Sequence, residues 1–64
     1  MHGKDVVRKL TQAGWSLDRI RGSHHILVKE GKRPVPVPVH GNRDLPIGLL
    51  AAIERQTGVK LRND

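Results

Sequence analysis

The 64-residue sequence has no cysteine, no tyrosine and no phenylalanine, and a single tryptophan. Without cysteine there are no disulfides and no thiolate metal ligands, which fits a reducing compartment such as the cytoplasm. The lone Trp15 could stack on a planar ligand, as aromatics do in single-strand binders, but one aromatic is more often a core residue and burial is expected. Long hydrophobic runs are also missing. The longest apolar stretches are Ile26-Leu27-Val28 and the interrupted run from Leu45 to Ile53, far short of the ~20 residues that cross a bilayer. Met1-His2-Gly3-Lys4-Asp5 is followed by no apolar segment, so no signal peptide is expected.

Acidic residues are scarce. Twelve Lys and Arg face six Asp and Glu, giving a net charge of +6 and an isoelectric point near 10.9. A body this small and this basic implies an anionic partner, and nucleic acid fits best. Arg19, Arg21, Lys29, Lys32 and Arg33 concentrate the charge in mid-chain. At this length one domain, residues 1–64, is expected. Such a domain buries only roughly 60% of its unfolded surface.

Val6, Val7, Leu10 and Ala13 have the spacing of an amphipathic helix, with Asp5 in its first turn and Gly14 as its stop. This predicts a helix near residues 3–13. Trp15 to Asp18 alternates as a strand, and Ile20 breaks the alternation, so the strand ends or bulges near Arg19. Arg21-Gly22-Ser23 is a turn, His24–Lys29 a second strand and Glu30-Gly31-Lys32 a second turn. Pro34-Val35-Pro36-Val37-Pro38-Val39 alternates strictly. The prolines all occupy even positions, so their missing donors face one side. This third strand can pair only on the other side and must be an edge, its valines turned toward the helices. His40-Gly41-Asn42 is a loop. A second helix is expected from Asp44 or Leu45, with Pro46 in its first turn, an apolar stripe of Leu49, Leu50 and Ile53, and its end at Gly58. Val59 and Leu61 are placed against the core, and Arg62-Asn63-Asp64 is expected to fray. The order α-β-β-β-α with short turns gives an α+β fold, a three-stranded antiparallel sheet with both helices on one face and the other face open and polar.

Four histidines are the candidates for chemistry. His2 is in the N-terminal tail, and His40 ends the third strand. His24 and His25 are strand neighbours and point to opposite faces. Diverging neighbours, scattered acids and no cysteine predict no metal site and no cofactor. RNA cleavage needs no metal: a base takes the proton of the 2′-hydroxyl, that oxygen attacks phosphorus, and an acid protonates the leaving 5′-oxygen. Imidazole suits both steps, and nearby cations stabilise the charge on phosphorus. The same spacing also fits a histidine that merely fills a half-buried strand position. Ser23 has no elbow or triad partners and is a turn residue rather than a nucleophile. A non-catalytic RNA-binding module would share the fold and charge. It would be longer and more basic at a helix end, where this second helix offers only Arg55 before Gly58.

Four segments in order carry a resemblance along nearly the whole chain: Ala13-Gly14-Trp15; Arg21-Gly22-Ser23-His24-His25; Val37-Pro38-Val39-His40-Gly41-Asn42; and Asp44-Leu45-Pro46-Ile47-Gly48-Leu49-Leu50 running to Ile53-Glu54-Arg55-Gln56-Thr57-Gly58. Together they resemble the HicA toxins of HicAB toxin–antitoxin modules. The resemblance implies a double-stranded-RNA-binding-like fold and a metal-independent endoribonuclease that cuts messenger RNA. It also implies a HicB-like antitoxin that neutralises it. A free toxin this small could also cover exposed surface by forming a homodimer. The family's catalytic histidine follows Gly-Ser, which is His24 here, with His25 as second candidate. RNA contacts are expected from Arg21, Ser23, Lys29, Lys32, Arg33 and Arg43.

Overall fold

The structure, a computed structural model, describes residues 1–62. Its elements run α1 (Gly3–Gln12), β1 (Ser16–Arg21), β2 (His24–Val28), β3 (Val35–Pro38) and α2 (Ile47–Thr57). The strands form one antiparallel sheet in the order β1-β2-β3, so the α-β-β-β-α architecture read from the sequence holds.

β3 is an edge strand, and its hydrogen bonding follows the proline parity. Val39 donates its N–H to the Ser23 carbonyl at 2.7 Å, continuing the ladder past the end of β3. Odd-numbered donors therefore face β2, and the even-numbered prolines turn their missing donors outward. The same alternation sorts the side chains. Val35 and Val37 are buried with Leu27 of β2, Val6 and Leu10 of α1, Leu50 and Ile53 of α2, Trp15 and Leu61. Both helices thus cover the odd-numbered face of β2 and β3.

β1 is longer than its alternation suggested. Leu17 pairs with Leu27, but Arg19, not Asp18, pairs with Ile26. Asp18 is the extra residue of a β-bulge, which shifts everything after it by one place. Leu17 and Ile20 consequently lie on the helix side of the sheet, and Arg19 and Arg21 on the open side. Without the bulge, Ile20 would oppose His24 and Arg21 would point toward the helices.

α1 begins on a close approach to β3. A Cβ on Gly3 would overlap the Pro38 carbonyl oxygen and crowd the Val39 Cα, so only glycine lets the helix start there. The helix start is also tied to the segment before α2. The Leu45 N–H donates to the Met1 carbonyl at 2.9 Å, and the Met1 amino group donates to Asp44 Oδ1 at 3.2 Å. The His2 N–H donates to Asp5 Oδ2 at 3.1 Å. That N–H, with the Arg8 guanidinium, holds the Asp5 carboxyl below its ordinary value.

α2 starts later than the sequence suggested. Asp44 and Leu45 are held extended against Met1 and His2. Pro46, expected inside the first turn, is instead the N-cap, extended at ψ 146°, and its carbonyl accepts from Leu49 and Leu50. Gly58, at φ +74°, ends the helix as expected.

The chain then folds back, and Leu61 is buried in the core. Glu54 clips it there: its carboxylate accepts from the Leu61 N–H at 2.7 Å, the Arg62 N–H at 2.8 Å and Arg62 Nε at 2.8 Å. These donors, the Arg62 backbone first, pull its pKa from 4.5 to about 2. Arg62 is therefore tied down rather than frayed, while Asn63 and Asp64 lie outside the described residues. No helix among the described residues is long and apolar enough to cross a membrane.

Candidate active site

Arg21-Gly22-Ser23-His24 closes the β1–β2 hairpin. Arg21 and His24 are directly paired, leaving a two-residue turn. Gly22, the first central residue, takes φ +59°, and Ser23 needs no positive φ, which matches a type II′ turn. Directly paired side chains share a face. Arg21 therefore stands beside His24 on the open side of the sheet, and Pro38 flanks His24 from β3. His24 is exposed.

His25 has the opposite environment. It pairs with Val37, a core residue, and with Ile20. It is half-buried, and its Nδ1 is buried with no hydrogen-bond partner among the described residues. His2 is drawn away as well, its Nδ1 lying 3.0 Å from Asp44 Oδ1.

The fourth imidazole, His40, is a candidate to which the sequence assigned no role. Val39 packs against the core while His40 is exposed, so the alternation that turns Pro36 and Pro38 to the open face reaches His40. The Arg43 N–H donates to the His40 carbonyl at 3.0 Å, closing a turn through Gly41 at φ +54°. The signal was present in Val37-Pro38-Val39-His40: two residues beyond Pro38, the strand parity still applies.

The expected RNA-contact residues do not form one cluster. Arg21, half-buried Ser23 and exposed Arg43 lie at the His24 end of the sheet. Lys29 lies past the other end of β2, five residues from His24 or about 16 Å along a strand. Its Nζ donates to the Ala13 carbonyl at 3.1 Å, where it caps the end of α1. Lys32 and Arg33 are in the β2–β3 connection. There they line a cavity of about 350 Å³ together with Gly31, Pro34, Pro36 and Gln56.

The middle of the open face is aliphatic rather than polar. Ile26 and Val28 of β2 are half-buried there beside Pro36. Among the described residues, no three His, Asp or Glu side chains converge as metal ligands would.

Over residues 3–59 the chain matches the family model described as the HicA toxin of bacterial toxin–antitoxin systems. No curated protein matches it.

Proposed function

Because the chain belongs to the HicA toxin family, as the toxin of a toxin–antitoxin module, we propose that it is a metal-independent endoribonuclease that cleaves messenger RNA at His24. One observation carries this reading. Of two adjacent imidazoles, His24 is exposed on the open face beside Arg21, whereas His25 faces the core opposite Val37.

The chemistry follows from that placement. His24 takes the proton from a ribose 2′-hydroxyl, and the freed oxygen forms a bond to the adjacent phosphorus. Arg21 neutralises the charge that builds on the phosphoryl oxygens. As the bond from phosphorus to the 5′-oxygen breaks, that oxygen takes a proton. This reading assigns that proton to His40, which is exposed two residues beyond Pro38. The products are a 2′,3′-cyclic phosphate and a 5′-hydroxyl, and DNA, which lacks the 2′-hydroxyl, is spared. Arg21, Ser23 and Arg43 hold the strand near the cut, with Lys32 and Arg33 farther along it. Lys29 serves α1 first and RNA second. A single unit of residues 1–64 in the cytoplasm, with a double-stranded-RNA-binding-like fold and a HicB-like antitoxin that blocks it, completes the reading.

The test is expression of wild type, His24→Ala and His25→Ala with growth and RNA integrity followed in parallel. The reading expects wild type to arrest growth and degrade RNA, and His24→Ala to be harmless while still folded. It also expects purified wild type to keep cutting in EDTA. Little difference among wild type and the two variants would indicate an RNA-binding module instead, a harmless His25→Ala beside a toxic His24→Ala would move the chemistry to His25, and cleavage abolished by EDTA would overturn the metal-free mechanism.

A further inference from the structure

β1 and β3 are the two edges of the sheet, and they differ in what they can accept. Pro36 and Pro38 leave β3 with no outward donor. The outer edge of β1 keeps its own. Odd-numbered residues of β2 direct their peptide groups to β3, a parity set by the bond from Val39 to Ser23. Even-numbered His24 and Ile26 therefore bond Arg21 and Arg19, their partners in β1. Ile20 lies between those two, and Leu17 lies opposite odd-numbered Leu27. Both turn their peptide groups outward. Among the described residues, no hydrogen bond outside the ladder reaches either of them.

The side chains of the same two residues are uncovered as well. Leu17 is 45% exposed and Ile20 55%. The bulge at Asp18 sets them on one face although they are three apart in sequence. The opposite face of this edge is cationic. Arg19 holds Asp18 at 2.6 Å, and among the described residues no carboxylate pairs with Arg21. A second copy of the chain fits such an edge badly. Antiparallel self-pairing would continue the open face across both copies and set their arginines near one another. It would also join two bodies that each carry a net charge of +6.

We propose that the outer edge of β1 docks an extended acidic segment of a partner protein, which adds to the sheet as a fourth strand. Its backbone bonds the outward groups of Leu17 and Ile20. Its apolar side chains cover Leu17 and Ile20 on the helix side. The acidic side chains between them face Arg19 and Arg21 on the open side. A bulge blunts an edge against long pairing, so the segment is short. The effect on cleavage, which alone rests on the ribonuclease reading above, is inhibition from the side. Arg21 comes to lie between His24 on one neighbouring strand and a carboxylate on the other. The carboxylate occupies the guanidinium that the phosphoryl oxygens need, and His24 stays uncovered.

The probe is the end-blocked peptide Glu-Val-Glu-Val-Glu-Val, titrated into the full chain with amide hydrogen exchange followed by NMR. The outward Leu17 and Ile20 amides should exchange about tenfold more slowly, or slower still, once the strand adds. Arg19 and Arg21, already bonded inward, should change little. The same peptide with Lys in place of Glu should not bind, and salt at about 1 M should weaken the Glu peptide. Ile20→Pro removes an outward donor and should abolish binding. Leu17→Ser with Ile20→Ser leaves the backbone whole and should weaken binding by about tenfold. The Glu peptide should also slow cleavage of RNA by the wild type. Equal binding of both peptides, or binding that leaves Leu17 and Ile20 exchange unchanged, would overturn the docking edge even if cleavage still required His24. Protection of those two amides that grows with protein concentration, with no peptide present, would give the edge to a second copy and overturn the acidic partner. Docking without slower cleavage would overturn the inhibition alone. Docking as expected, with RNA left intact by the free wild type, would keep the edge and sink only the ribonuclease reading.

Discussion

The two faces of this sheet are made from the same strands, one residue apart, and they do different work. The odd-numbered face of β2 and β3 is Leu27, Val35 and Val37, sealed by both helices. The even-numbered face carries His24 and the prolines, and no helix covers it. The division is sharpest at His24 and His25, where one peptide unit separates an accessible imidazole from one set against Val37. A marginal 64-residue body cannot bury both faces. One face makes the fold, and the other is free for an anionic ligand.

The largest stability difference should come from truncating neighbours on opposite faces. Leu27→Ala removes a fully buried side chain and should destabilise the fold by about 2–5 kcal/mol. Ile26→Ala, on the open face and only half-buried, should cost clearly less. Urea unfolding of the two variants measures the contrast, and equal losses would mean the open face is also covered.

The bulge at Asp18 keeps Arg21 on the face of His24. Deleting Asp18 should restore simple alternation while Arg19, Ile20 and Arg21 keep their partners Ile26, His25 and His24, so cleavage should survive. Arg21→Ala should instead lower cleavage by about tenfold or more through loss of charge stabilisation, while far-UV circular dichroism shows the sheet intact. Undiminished cleavage by Arg21→Ala would remove Arg21 from the site.

Two glycines compare the start of α1 with that of α2. Gly3→Ala would push a methyl into the Pro38 carbonyl and should destabilise by about 1–3 kcal/mol. Gly48→Ala meets open space in α2 and should stabilise by up to about 1 kcal/mol. Thermal melts of both variants give the signs directly.

The smallest effect is confined to acid. Glu54 is held near pKa 2 from an ordinary 4.5, so its ionised form favours the folded state. That contribution is fully present above about pH 5 and fades as pH falls toward 2. Wild type should lose its stability advantage over Glu54→Gln across that window. An advantage that does not change with pH would show that the clip on Leu61 and Arg62 owes nothing to the charge.

Much of this division was legible in the sequence. The Pro-Val alternation fixed an edge strand and its inward face, and the adjacent histidines had to diverge. The bulge was half-legible, because Ile20 broke the pattern without saying how far β1 continued; pairing with β2 decides that. The start of α2 was misplaced because Asp44 and Leu45 are held by Met1 and His2, a contact across the whole chain. The cationic stretch from Arg19 to Arg33 read as one patch. β2 puts its two turns at opposite ends of the sheet, which left Lys29 capping α1 and Lys32 and Arg33 at a separate cavity. Gln56 had no signal of its own, since only packing of α2 beside β3 brings it to that cavity.

The central claim is that His24, and not His25, moves the proton. Single-turnover cleavage of one RNA by wild type, His24→Ala and His25→Ala, each confirmed folded by circular dichroism, tests it most directly. The account predicts a loss of about 10²–10⁴-fold for His24→Ala and near wild-type cleavage by whatever fraction of His25→Ala remains folded. The reverse pattern, or equal cleavage by all three, would contradict it.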